Sequence, residues 1–229
     1  MLIKYYGHAC FKVRDSETGY SIVLDPYEPG SVQGFGNIKD TASEVICSHE
    51  HFDHNSRESV RLEPMEDSPF EVTAIDTWHD EVKGAKRGPN RITVITEKNT
   101  GKKLIHYGDI GVPAEELMKE DFAGLLKDAD IALIPVGGTY TIDADGALDL
   151  IEMTQPKIAV PMHFRSADMG FGLPNIGSIE DFIGKAQNAG HKVMLTRMWF
   201  FDTDGEDPGR CILAVRPENV VSEPAQDNL

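Results

Sequence analysis

Three histidines, a glutamate and an aspartate occupy the six residues His49-Glu-His-Phe-Asp-His54, in a chain of 229 residues with eight histidines. Imidazole and carboxylate are the donor types that suit zinc, manganese or iron. At this density they read as a metal-ligating loop rather than a polar surface turn. The segment follows the apolar run Val45-Ile-Cys47, a short buried strand, so the loop can aim His49 and His51 one way and Asp53 and His54 another. Further donors each end an apolar strand: His79 after Val72 to Trp78, Asp109 after Leu104 to Gly108, and His163 after Ile158 to Met162. Strand-end loops gathered at one edge of a sheet are where catalytic groups usually sit.

The elements that must position these residues follow from periodicity. Strands are expected at Leu2–Tyr6, Cys10–Val13, Ser21–Leu24, Val45–Cys47, Phe70–Trp78, Arg91–Thr96, Lys103–Tyr107, Ile131–Val136, Lys157–Val160, Val193–Phe201 and Cys211–Val215. Helical spacing predicts helices over Ala114–Leu126, Ala147–Thr154 and Ile179–Ala189, the last stopped by Gly190. Pro26 to Gly36 reads as a long loop, and the polar tail 218–229 is expected to be disordered. With no linker or compositional break, 1–229 reads as a single α/β domain. Its strands outnumber those of a doubly wound sheet, and no Gly-rich phosphate loop follows an early strand. Two sheets packed face to face with helices outside is the economical arrangement.

The formal charge of −16 disfavours a nucleic-acid or anionic-membrane partner. No apolar stretch is long enough for a transmembrane helix, and the opening MLIKYYGHACF does not look like a signal peptide. A soluble cytoplasmic protein is expected. Cys10, Cys47 and Cys211 are widely spaced, so neither a disulfide framework nor a CxxC metal knuckle follows. The apolar strand around Cys47 marks it as a core thiol.

The segment SHEHFDH resembles the His-x-His-x-Asp-His hallmark of the metallo-β-lactamase superfamily of metal-dependent hydrolases. The chain is similar in particular to the branch containing ascorbate-6-phosphate lactonase. The similarity lies in Tyr6-Gly-His-Ala-Cys-Phe11, Leu24-Asp-Pro26, His106-Tyr-Gly-Asp109, Gly137-Gly-Thr-Tyr-Thr141 and Pro161-Met-His-Phe164. That resemblance implies a four-layer αββα sandwich with two divalent metals at one edge, zinc by default and manganese or iron as alternatives. It also implies that His49, His51 and His79 hold one metal, that Asp53, His54 and His163 hold the other, and that Asp109 bridges them.

Such metals lower the pKa of bound water toward ~7 and polarise a carbonyl or phosphoryl oxygen. Asp53 is then the candidate catalytic residue, orienting the hydroxide and passing a proton to the leaving group. The expected reaction is hydrolysis of a small ester, lactone or phosphorylated metabolite. An anionic substrate is compatible with the chain's charge because the field of bound ions dominates locally. Lys86, Arg87 and Asn90, in the loop from Asp80 to Asn90, are candidate anion-binding residues; His8 is a candidate substrate contact at the site edge, with support of the metal ligands or a buried structural role as the alternatives. Asp25 is a candidate carboxylate behind a ligand histidine. His106 and His191 read as structural, Thr139 to Thr141 as pocket lining, and Trp199, Phe200 and Phe201 as core.

Two other functions compete. Iron-dependent oxidoreductases share this fold, but the di-iron oxygen-reducing type usually carries an acidic residue where His51 stands. A non-catalytic metal-binding module would need only four closed ligands. The family's RNA-processing nucleases usually carry an insertion for which the interval between Asp109 and His163 is too short. The lactonase branch is compatible with a homo-oligomer.

Overall fold

The computed structural model describes residues 1–205 and 207–221. The first half supplies β1 (Leu2–Gly7), β2 (Cys10–Arg14), β3 (Ser21–Leu24), β4 (Thr41–Ala42), β5 (Glu44–Ile46), β6 (Arg61–Leu62), β7 (Phe70–Trp78), β8 (Pro89–Glu97) and β9 (Lys103–His106). The second half supplies α1 (Ala114–Leu117), β10 (Ile131–Pro135), α2 (Ala144–Thr154), β11 (Ile158–Met162), α3 (Ile179–Asn188), β12 (Val193–Thr196), β13 (Phe200–Asp202) and β14 (Cys211–Val215).

Two sheets form the sandwich, with strand orders β13-β1-β2-β3-β5 and β12-β14-β11-β10-β9-β8-β7, while β4 and β6 make a separate short ladder. In the first sheet β1, β2 and β3 alternate direction and β5 runs parallel to β3. In the second, β7, β8 and β9 alternate, and β9, β10, β11, β14 and β12 are parallel. Consequently β1, β3 and β5 share one direction, and so do β7, β9, β10 and β11. The carboxyl ends that carry the candidate ligands therefore gather at one edge of each sheet. Every residue of β10 and β11 is buried, as expected for strands covered on both faces.

One core cluster draws on both sheets. Tyr5 meets Phe164 across it with ring centroids 6.4 Å apart, and His106 Nε2 donates to the Ala9 carbonyl at 2.9 Å. Helix α2 is capped by Asp143, whose side chain accepts from Gly146 N, and α3 by Ser178, which accepts from Asp181 N. Ile179, Phe182 and Ala186 form the buried stripe of α3 at i, i+3 and i+7. Among the described residues no helix is long and apolar enough to cross a membrane.

The fold corrects four expectations. The helix expected over 114–126 is α1 followed by a 3₁₀ segment, Asp121–Leu126, with Glu120 extended between them. Leu117 and Leu126 are both buried. Nine residues apart, they would face opposite sides of an unbroken helix at 100° per residue. The strand expected over 193–201 is divided between the sheets: β12 pairs with β14 and β13 with β1. Trp199, in the crossing, is 40% exposed rather than core. Of the tail 218–229, residues 218–221 are fastened by hydrogen bonds from Glu218 N to Tyr5 O, Asn219 N to Tyr6 O and Val221 N to Gly34 O. Residues 222–229 lie outside the described residues.

Candidate metal centre

Each candidate ligand sits at the carboxyl end of a strand or in the loop after it. Gly7 closes β1 and His8 follows; Asp25 follows β3; His49, His51, Asp53 and His54 lie in the loop after β5. His79 follows β7, Asp109 lies three residues beyond β9, and His163 follows β11. The backbone turns sharply at these points, and His8, Asp25 and His163 adopt left-handed φ of 56°, 45° and 52°. The turns are tied together where His163 N donates to the His8 carbonyl at 2.9 Å.

The side chains converge on Asp109. Its Oδ2 lies 3.2 Å from His54 Nε2, 3.3 Å from His79 Nε2 and 3.2 Å from His163 Nε2. Donor atoms of His49, His51 and His79 lie within 4.8 Å of one another, and so do those of His8, Asp53, His54 and His163. His49 Nε2, His54 Nε2, His163 Nε2 and Asp109 Oδ1 are buried with no hydrogen-bond partner. Buried polar atoms are normally paired, and four unpaired lone-pair donors facing one space fit divalent cations.

Asp25 governs which nitrogens carry lone pairs. It is buried, and its Oδ1 accepts from Ser48 N at 2.7 Å. Its Oδ2 accepts from Ser48 Oγ at 2.6 Å and from His54 Nδ1 at 2.9 Å. Ser48 Oγ, having donated to Asp25, accepts from His49 Nδ1 at 2.8 Å. In their neutral forms, as a bound cation would require, both imidazoles thus carry their proton on Nδ1 and present Nε2 as an acceptor.

Electrostatics complete the arrangement. Burial, reinforced by neighbouring imidazoles, pushes His49 down to about 3 and His8 down to about 4, so both rings are neutral at pH 7. Burial also opposes charge on Asp109, but His163 and His54 hold it well below the usual carboxylate range. His54 is raised: burial disfavours its charge, and the Asp109 and Asp25 carboxylates outweigh that penalty.

A cavity of about 370 Å³ opens onto this cluster, lined by His51, Asp53, His79 and Asp109 together with Lys86, Arg87 and Tyr140. Two expected substrate contacts lie elsewhere. Asn90 is buried, with its amide donating to Thr77 Oγ1 and Tyr107 O and its Oδ1 accepting from Asp109 N at 2.9 Å. It therefore holds the Asp109 loop. Its alternation with buried Ile92 and Val94 along β8 was the available signal. His8 is fully buried, its Nε2 3.2 Å from Asp53 Oδ2, so it steadies Asp53 instead of touching the cavity.

Sequence reasoning missed Ser48, Asp80, Ser31 and Leu173. Asp80 is buried and accepts backbone N–H groups from Val82, Gly84, Lys86 and Arg87. The acidic residue before a glycine-bearing loop was its only sequence signal. Ser31 and Leu173 reach the cavity from loops distant in sequence.

The Beta-lactamase superfamily domain matches residues 2–163 of the chain. A UPF0173 metal-dependent hydrolase of Methanocaldococcus jannaschii is 27% identical over 229 residues, covering 86% of this chain and 97% of that protein. One from Carboxydothermus hydrogenoformans is 29% identical over 213 residues, covering 74% and 89%. A metallo-β-lactamase superfamily protein of Thermotoga maritima superposes with a TM-score of 0.66 at 24% identity, over 93% of this chain and 97% of that one. The metallo hydrolase Igni18 of Ignicoccus hospitalis gives 0.55 at 22% identity, over 82% and 91%.

Proposed function

The chain belongs to the metallo-β-lactamase superfamily of metal-dependent hydrolases, and on that premise we propose that it holds two divalent cations and hydrolyses a small ester, lactone or phosphorylated metabolite. His49, His51 and His79 would hold one cation, and Asp53, His54 and His163 the other, with Asp109 between them. The observation that carries this reading is the convergence of three Nε2 atoms within 3.3 Å of Asp109 Oδ2. Divalent ions there supply Lewis acidity and ready ionisation of water near neutral pH. Zinc is the default for these nitrogen and oxygen donors, and manganese or iron would also be accepted.

Asp53 lies on the cavity wall with His8 on its Oδ2. It is placed to orient the attacking water and take its proton. As the water oxygen bonds to carbonyl carbon or phosphorus, the bond to the leaving oxygen breaks and that oxygen receives the proton. Cys47, just before the ligand loop, offers no competing thiolate, since burial pushes it up to about 12. A lactone is favoured by the resemblance of segments such as Tyr6-Gly-His-Ala-Cys-Phe11 and Pro161-Met-His-Phe164 to the ascorbate-6-phosphate lactonase branch, and a small substrate by the cavity's size.

Protein purified without chelator is expected to contain about two equivalents of transition metal. Stripping the metal should abolish hydrolysis, and zinc or manganese should restore it. Protein with no metal and no capacity to rebind it would overturn the reading.

A further inference from the structure

We propose that Arg87 selects the substrate by charge, so that the cavity takes a small molecule bearing a carboxylate or phosphate on an apolar or aromatic body, and that Asp80 is the residue that positions Arg87. The proposal rests on the hydrolase reading above and adds the substrate class to it.

The first observation is an unpaired cation. The chain has 38 acidic residues against 22 basic ones, and several cations near the surface are matched: Lys86 with Glu81, Arg91 with Asp76, Lys185 with Asp145. Arg87 is half-buried and lines the same cavity as the candidate metal ligands His51, Asp53, His79 and Asp109. Among the described residues no carboxylate lies within ion-pair distance of it. Its guanidinium instead lies over the Tyr140 ring, 5.4 Å from the centroid. Stacking leaves the fork of N–H donors free, and that fork matches the two oxygens of a carboxylate or phosphate. Lys86 is a weaker candidate, because it is exposed and already paired.

The second observation is that the backbone carrying Arg87 is fixed in place. Asp80 Oδ1 accepts from Val82 N at 3.0 Å and Gly84 N at 2.9 Å, while Oδ2 accepts from Lys86 N at 2.9 Å and Arg87 N at 2.8 Å. One carboxylate thus closes the whole loop and sets the height of the Arg87 backbone. Gly84, at φ +79°, lets the loop lie on Trp78, since a Cβ there would come within 2.7 Å of the indole. A loop backbone held this way is ordered before ligand arrives, which lowers the cost of binding.

The third observation is the remaining lining. Phe52, 65% exposed at the cavity mouth, and Leu173 give the space between arginine and metal ligands an apolar surface. An anionic group on Arg87 would leave an apolar body against Phe52 and Leu173.

The test compares p-nitrophenyl acetate with the mono-p-nitrophenyl ester of glutaric acid, two carboxylic esters that differ by a free carboxylate and the two methylenes that carry it, using zinc-loaded protein. Arg87→Met should raise KM for the glutarate ester at least about tenfold more than for the acetate, reflecting loss of a bidentate charge-assisted contact. Arg87→Lys should restore part of the difference. Asp80→Asn, which keeps Arg87 but loosens its loop, should show the same selective rise in KM with a smaller change in kcat. Calorimetry with inorganic phosphate tests the other anion and needs no turnover: the parent should bind it, and Arg87→Met should bind at least about tenfold more weakly. Equal effects on both esters with unchanged phosphate affinity would overturn the proposal. So would a parent that neither prefers the glutarate ester nor binds phosphate. If neither ester is cleaved while phosphate binding still depends on Arg87, the carboxylic-ester and lactone reading fails and the anion site stands.

Discussion

Asp25→Asn is nearly isosteric and tests whether one carboxylate sets the metal centre. The Ser48 backbone N–H, 2.7 Å from Oδ1, requires an acceptor there. The amide oxygen therefore takes that place, and the new NH₂ faces Ser48 Oγ and His54 Nδ1, now 2.6 and 2.9 Å from Oδ2. Facing a donor, His54 Nδ1 must accept, and its proton moves to Nε2. The Ser48 hydroxyl likewise turns to donate to His49 Nδ1, which moves the His49 proton to Nε2. A protonated nitrogen cannot ligate, so one substitution would disable a donor in each half of the proposed two-cation centre. Replacing such a partner typically costs about 10- to 100-fold in metal affinity, and the magnitude here should lie at the upper end for both equivalents. Competition titration with a chromophoric chelator measures the affinities, and ¹⁵N NMR of the imidazoles reports the tautomers. Both affinities within about threefold of the parent, where a hydrogen bond to a charged group is worth at least about tenfold, with Nδ1 still protonated, would refute the reasoning.

In the metal-free protein, stability should peak near pH 6.5. His8 and His49 are depressed from 6.5 to about 4 and about 3, so the unfolded chain binds more protons below pH 6.5 and stability falls toward pH 4. His54 is raised, so its contribution is complete below 6.5 and is lost as pH rises through its folded value. Urea midpoints of chelator-treated protein across pH 4 to 9 check this, and a profile rising monotonically with pH would contradict it. Gly108→Ala should destabilise by at least about 2 kcal/mol. Its φ is +56°, and a Cβ there would meet Asn90 Oδ1 and lie 2.6 Å from Ser48 Cβ. Thermal unfolding measures the loss, and a melting temperature equal to the parent's would show that the Asp109 loop tolerates a side chain.

The candidate donor set was legible in the sequence because metal ligation needs particular atoms. Histidines and aspartates ending apolar strands are conspicuous, and the parallel strands bring those ends to one edge. The parts that were not legible depend on direction rather than composition. The left-handed turn at His8 points the ring inward toward Asp53, and no spacing rule foretells that. Asn90 looked like part of a basic loop, although its position on β8 places it on the buried face. The Val193–Phe201 run is continuous in β-forming residues, so its division between two sheets could only come from tertiary pairing. Ser48 was hidden between a cysteine and a ligand, where a small hydroxyl carries no signal of its own.

His8, Asp25 and His163 hold backbone conformations that glycine would adopt more comfortably, each at a cost of order 1–3 kcal/mol. Selection for heat resistance alone would therefore reward glycine or asparagine at these three places. A laboratory lineage evolved that way would grow sturdier while discarding the groups its chemistry requires, so thermal endurance and turnover should be scored together in any engineering of this scaffold.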